Sequence, residues 1–221
     1  MRPIKTFAAL LLMALLVLSS CGGPTSEDYF PLKKGYVWTY SIDNGATTKT
    51  VENFESRKLE KTRVIPQKTD IAGKNSFVFL NETGKGIIAF AAQAPDATEP
   101  VILENQEYVL KNPFSPGTSW DRQVKTTLMM EVLPLTLTFK VADKKETVTV
   151  PAGTFEKCVK VVGKGYVEKD KGLMGLVRVT LVQQDWYAPG VGLIKSVTNK
   201  TGNHMLIQPE ETTVQLTGYK K

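Results

Sequence analysis

Two joints within residues 148–196 constrain this chain more than any other feature. The first reads Val148-Thr149-Val150-Pro151-Ala152-Gly153-Thr154-Phe155, and the second Trp186-Tyr187-Ala188-Pro189-Gly190-Val191-Gly192-Leu193-Ile194. In each, β-branched or aromatic residues lead into a Pro/Gly turn and apolar residues resume after it. Proline presets φ for a turn and glycine supplies φ > 0, so both are strand–turn–strand joints. Between them, residues 175–183 are rich in Val, Leu and Thr and form a central strand. Leu135, Leu137, Phe139 and Val141 alternate with Thr136, Thr138 and Lys140, the period of a half-buried antiparallel strand. A chain punctuated this way is mainly β.

The same grammar runs through the rest of the chain. Tyr36, Trp38 and Tyr40 alternate with Val37 and Thr39 in an opening strand, and Asn44-Gly45 follows as a hairpin turn. Residues 47–64 read as one long polar strand or two, and residues 75–80 and 86–92 as a hairpin. Asp143-Lys144-Lys145-Glu146 is expected to turn the strand of residues 135–141 back into residues 147–150. Lys169-Asp170-Lys171-Gly172 makes another turn, and residues 191–198 and 212–219 close the sheet. Pro113-Phe114-x-x-Gly117-x-x-Trp120 echoes Pro31-Leu32-x-x-Gly35-x-x-Trp38. The pattern predicts two turns that each feed a strand anchored by tryptophan. The best helical candidates are residues 104–110 and the single turn 154–157. About a dozen strands must curl to hide their edges, so the fold class is a single antiparallel β domain, a half-open barrel or sandwich with at most one or two short helices.

Composition and targeting bound the function. With 42% hydrophobic and 23% charged residues the chain can bury a real core. Arg2 and Lys5 precede an apolar run over residues 7–18, closed by Leu18-Ser19-Ser20-Cys21. That run falls short of the roughly 20 residues of a membrane span, so it reads as an export signal. The segment resembles a bacterial lipobox. The resemblance implies cleavage before Cys21, fatty acyl chains of the palmitate type on its sulfur and a membrane-held mature protein. Two or more acyl chains give stable anchoring where one is marginal. By the same resemblance, Gly22 in place of Asp after the lipidated cysteine points to the outer membrane, with the domain facing the periplasm. The division is a signal peptide over residues 1–20, a lipidated Cys21 with a tether to residue 28, and one β-rich domain over residues 29–221. Seven tether residues span at most roughly 25 Å.

The chemistry is sparse. Loss of Arg2 and Lys5 takes the net charge from +6 to +4, a mild surplus spread over solvated faces. No basic stripe interleaved with aromatics marks a nucleic-acid surface. His204 is the sole histidine, so no metal or triad site of the usual kind can be assembled around imidazoles. Glu104 and Glu107 read as a solvated helical face rather than an acid–base pair. Gly84-Lys85-Gly86 lacks phosphate-loop spacing. Cys158, among Phe155, Val159 and Val161, reads as a buried core thiol. No catalytic, cofactor or metal residues are assigned.

The wording of three segments carries a family resemblance. Tyr29-Phe30-Pro31-Leu32-x-x-Gly35-x-x-Trp38, Val150-Pro151-Ala152-Gly153-Thr154-Phe155-x-x-Cys158 and Tyr187-Ala188-Pro189-Gly190-Val191-Gly192-Leu193-Ile194-Lys195 resemble a family of uncharacterised bacterial lipoproteins. More distantly, the Pro-Ala-Gly-Thr-Phe segment is similar to exported domains of unknown function with curved, lipoprotein-carrier-like sheets. The resemblance implies no residue role except lipidation at Cys21. Two functional readings follow. The first is a non-catalytic envelope module, anchored through Cys21, that contacts envelope proteins. The second is a carrier or sensor of a lipid or other apolar ligand in the hollow of the sheet, lined by Trp38, Ile88, Phe90, Trp120, Met129 and Met130. A hollow of roughly 300 Å³ or more lined by Met, Phe and Ile favours the second, and a filled core the first.

Overall fold

The computed structural model describes residues 25–221, so Cys21 and the signal segment lie outside the described residues. After a one-turn helix, α1 (Ser26–Tyr29), the chain forms β1 (Val37–Ile42), β2 (Thr47–Asn53), β3 (Arg57–Leu59), β4 (Thr62–Ile71), β5 (Lys74–Thr83), β6 (Gly86–Gln93) and β7 (Val101–Lys111). It continues as β8 (Ser119–Leu128), β9 (Glu131–Val150), β10 (Gly153–Asp170), β11 (Leu176–Ala188), β12 (Gly192–Gly202) and β13 (Glu210–Lys220). These make one antiparallel sheet in the order β7-β6-β5-β4-β2-β1-β13-β12-β11-β10-β9-β8, with β3 paired only to β4. The sheet is a nearly closed barrel. Its end strands β7 and β8 meet without a backbone ladder among the described residues. Side chains close the seam: Gln123 N–H donates to Glu107 Oε1 at 2.9 Å, and Lys111 Nζ to the Ser119 carbonyl at 3.2 Å.

The two Pro/Gly/Trp segments have matching roles. Gly35 and Gly117 take φ of 80° and 88°, and each turn delivers a tryptophan into the second position of the strand that opens a meander. One meander runs from β1 to β7 and the other from β8 to β13, joined where β1 pairs with β13. The Pro189-Gly190 joint also serves a tertiary purpose. Gly190, at φ 68°, donates its N–H to the Asp28 carbonyl at 2.7 Å, and the Val191 carbonyl accepts from Trp38 Nε1 at 2.7 Å. Trp38→Phe removes that donor and leaves a buried carbonyl unpaired. A loss of about 1–3 kcal/mol is expected in urea denaturation.

The N-terminal segment is part of the fold from Ser26 onward. Ser26 is buried and its N–H donates to Asn112 Oδ1 at 2.6 Å. Tyr29 packs on Phe114 with ring centroids 5.2 Å apart, and Phe114 meets Tyr187 edge-on at 5.9 Å. This cluster continues along the inward residues of β9, where Leu135, Leu137, Phe139 and Val141 are buried in alternation. A second cluster packs Val148, Val150 and Cys158 of the β9–β10 hairpin against Trp186, Ala188, Ile194 and Leu216. Cys158 is fully buried, its thiol directed at the Phe155 carbonyl, and burial raises its pKa. An inert core thiol fits these surroundings.

Several expectations from local sequence need correction. Residues 104–110 are not helical: they lie in β7, where the register with β6 breaks between Ala89 and Ala91. Residues 154–157 are likewise strand. Lys157 takes φ 57° at a register shift between Phe155 and Cys158, so the non-extended residue is a bulge. Residues 143–146 do not turn the chain back. β9 runs through them, and three residues between Val141 and Lys145 oppose only one between Val161 and Val159. The polar run is absorbed as a bulge in one long strand. Residues 47–64 form β2, β3 and the start of β4 rather than one or two strands.

Candidate functional site

The barrel holds a half-open cavity of about 290 Å³. Its walls come from both meanders: Trp38 and Tyr40 on β1, Lys49 and Val51 on β2, Gln67 and Thr69 on β4, Val78 and Leu80 on β5, Val109 on β7, Arg122 on β8, Gln183, Asp185 and Tyr187 on β11, and Leu193 on β12. Phe30 and Pro31 border it where the N-terminal segment crosses the barrel end. The same two residues border an outer groove of about 770 Å³, which also includes Lys34, Phe54, Glu55 and Arg63. That groove is the larger space, but its charges are solvated; Lys34 and Glu55 pair at 2.8 Å with both side chains mostly exposed. In the pocket Asp185 is buried and Lys49 and Arg122 are half-buried, so its charges are less screened than those of the groove.

Period two explains how the polar groups come to face inward. Gln183, Asp185 and Tyr187 are alternate residues of β11 and share one face. Asp185 is only 3% exposed. Ser196 Oγ donates to its Oδ1 at 2.6 Å, and Gln183 Nε2 donates to its Oδ2 at 2.9 Å. Burial raises the Asp185 pKa, against the pull of those hydrogen bonds and of the Arg122 and Lys49 charges. Burial lowers the Lys49 pKa, partly offset by Asp185. Burial also pushes the Tyr40 and Tyr187 phenols up, and the Asp185 carboxylate adds to the effect on Tyr187.

Because its folded pKa is raised, Asp185 is held in the native state with its proton bound more tightly than in the unfolded chain. Its contribution is fully present below the unfolded value of 3.8 and is lost as pH rises through the higher folded pKa. Asp185→Asn removes this titration. Denaturation across pH 4 to 8 is expected to show a shallower decline in stability with rising pH for the variant than for the parent; parallel profiles would refute the assignment.

Of the six residues expected to line an apolar hollow, Trp38 borders the cavity and the other five stand elsewhere. Ile88 is half-buried on β6, and Phe90 packs with Val64, Phe79 and Ala91. Trp120 stacks on Phe139 at 5.8 Å, its indole N–H without an acceptor among the described residues. Met129 packs near Leu128 and Val177, and Met130 is fully exposed at the β8–β9 turn. His204 lies in the β12–β13 connection, where Nδ1 accepts from Leu206 N–H at 3.2 Å. Glu104 and Glu107, three apart on a strand, do not share a face.

Sequence reasoning missed Lys49, Arg122, Gln183 and Asp185. The available signal was the run Gln183-Gln184-Asp185 in a strand that is Val- and Leu-rich before it and aromatic after it.

Two solved structures are similar to the chain. One is a "putative lipoprotein" from Parabacteroides distasonis, 19% identical, with a TM-score of 0.46 over 87% of this chain and 98% of that one. The other is a "putative exported protein with YmcC-like fold" from Bacteroides fragilis, 16% identical, with a TM-score of 0.43 over 87% of this chain and 99% of that one. No curated protein matches the chain. Residues 111–207, which run from the end of β7 past β12 and contain both Pro/Gly joints, match the model of the DUF3108-like family.

Proposed function

We propose that the protein is a non-catalytic envelope lipoprotein, anchored in the outer membrane by acyl chains on Cys21, with its barrel facing the periplasm. It works by binding. The observation that carries this reading is the docking of Ser26 and Tyr29 into the barrel end beside the Pro189-Gly190 joint. Four residues, Gly22 to Thr25, then lie between Cys21 and the docked segment, and four residues reach at most roughly 15 Å. The barrel end with Phe30 and Pro31 is thereby held next to the bilayer, where it can contact envelope proteins. The polar groups of the cavity support binding over catalysis: the Asp185 oxygens are engaged by Ser196 and Gln183, and His204 lies at the opposite end of the strands.

A second reading, a carrier or sensor of an amphipathic ligand, is favoured by the cavity itself, whose volume is close to the lower limit for small-molecule sites. Fractionation of cells expressing Cys21→Ser tests the anchored reading. The variant is expected in the soluble envelope fraction, unlabelled by fatty acid, while the parent stays with membranes. Membrane retention with acyl label in the variant would refute it.

A further inference from the structure

We propose that the cavity takes a single-chain anionic amphiphile, its acidic group held by Lys49 and Arg122 and its chain laid along Trp38, Val78, Leu80 and Leu193. The inference rests on the carrier reading and names the ligand class. Two cations and one carboxylate border the cavity. The carboxylate is engaged elsewhere, by Ser196 and Gln183, and makes no ion pair with either cation among the described residues.

Lys49 and Arg122 likewise have no hydrogen-bond acceptor for their side chains among the described residues. Each instead lies against a ring: Lys49 Nζ is 5.8 Å from the Tyr40 centroid, and Arg122 Cζ is 4.4 Å from that of Phe139. Aromatic faces partly compensate a cation but leave its N–H donors free. A half-buried guanidinium and ammonium with open donors, facing one pocket, are best completed by an acidic oxygen.

The remaining walls set the other half of the ligand. Trp38, Val51, Val78, Leu80, Val109 and Leu193 present apolar surface. At about 30 Å³ per water, 290 Å³ admits roughly ten water-sized groups. That suits a short single chain rather than a two-chain lipid. Phe30 and Pro31 border both the cavity and the outer groove, so entry beside them would bring the ligand in where the N-terminal segment crosses the barrel end.

The test uses the mature chain, residues 21–221, carrying Cys21→Ser so that no acyl chain competes, titrated calorimetrically with octanoate, 1-octanol and octylamine. Octanoate is expected to bind roughly tenfold or more tighter than the other two, and Arg122→Gln to erase most of that margin while leaving 1-octanol within about twofold. Lys49→Gln, on a different strand, carries the same expectation should Arg122→Gln fail to fold. If 1-octanol or octylamine binds as tightly as octanoate, the anionic class is overturned and the carrier reading stands. If none of the three binds, both fall.

Discussion

Gly165→Ala is expected to cost about 3 kcal/mol in chemical denaturation. A Cβ at Gly165 would stand 2.1 Å from the Thr136 carbonyl oxygen and 3.2 Å from Leu137 Cδ2. The obstacle is backbone, so β9 and β10 must separate for the methyl to fit, and overpacking of this kind costs about 1–3 kcal/mol or more. Gly163→Ala meets only the Phe139 ring, at 2.6 Å, and a ring can shift where a ladder cannot. Its cost is expected to be smaller, although Phe139 carries both Trp120 and Arg122 on its faces. Gly218→Ala is the control: nothing lies within 4 Å of its added Cβ, and stability should change by less than about 0.5 kcal/mol. Equal losses at Gly165 and Gly218 would mean that β9 and β10 do not approach this closely.

Tyr29→Ala is expected to be nearly as damaging, with a loss of about 3 kcal/mol or more. Tyr29 is 3% exposed, closes over Phe114, and directs its hydroxyl to the Lys157 carbonyl at 3.4 Å. Truncation leaves a void between α1, the β7–β8 connection and β11. The result also bears on function. A segment whose loss destabilises the whole barrel is a rigid continuation of it, so the anchor proposed at Cys21, five residues before Ser26, would hold that barrel end close to the bilayer. A loss below about 0.5 kcal/mol would make residues 26–29 a loose extension and lengthen the effective tether.

Much of the fold is legible in local sequence because a strand's period and a Pro/Gly turn are local facts. Leu135 to Val141 alternate in the structure as they do in the sequence, and Pro151-Ala152-Gly153 and Pro189-Gly190 turn the chain where their φ preferences require. The two Pro/Gly/Trp segments each begin a meander, as their repetition implied. Polar runs mislead because a bulge and a turn have the same composition. Residues 143–146 look like a hairpin connection and are instead spare length within β9; Lys157 looks like a helical turn and is a single left-handed residue within β10.

The candidate site was legible only in part. Trp38 was found from its place in an aromatic strand. Lys49 sits in a polar strand that reads as wet, and Arg122 and Asp185 are distant in sequence. Only closure of the sheet brings β2, β8 and β11 around one space. Met129 and Met130 looked like an adaptable apolar surface, but the β8–β9 turn places Met130 in solvent.

Covalent acylation at Cys21 underlies the proposed function, and intact mass of the protein extracted from its own membranes tests it most directly. A polypeptide beginning at Cys21 and heavier than its sequence by the mass of acyl groups, released in part by mild base, is the expected result. A chain that begins at any other residue, or one of unmodified mass, would contradict it.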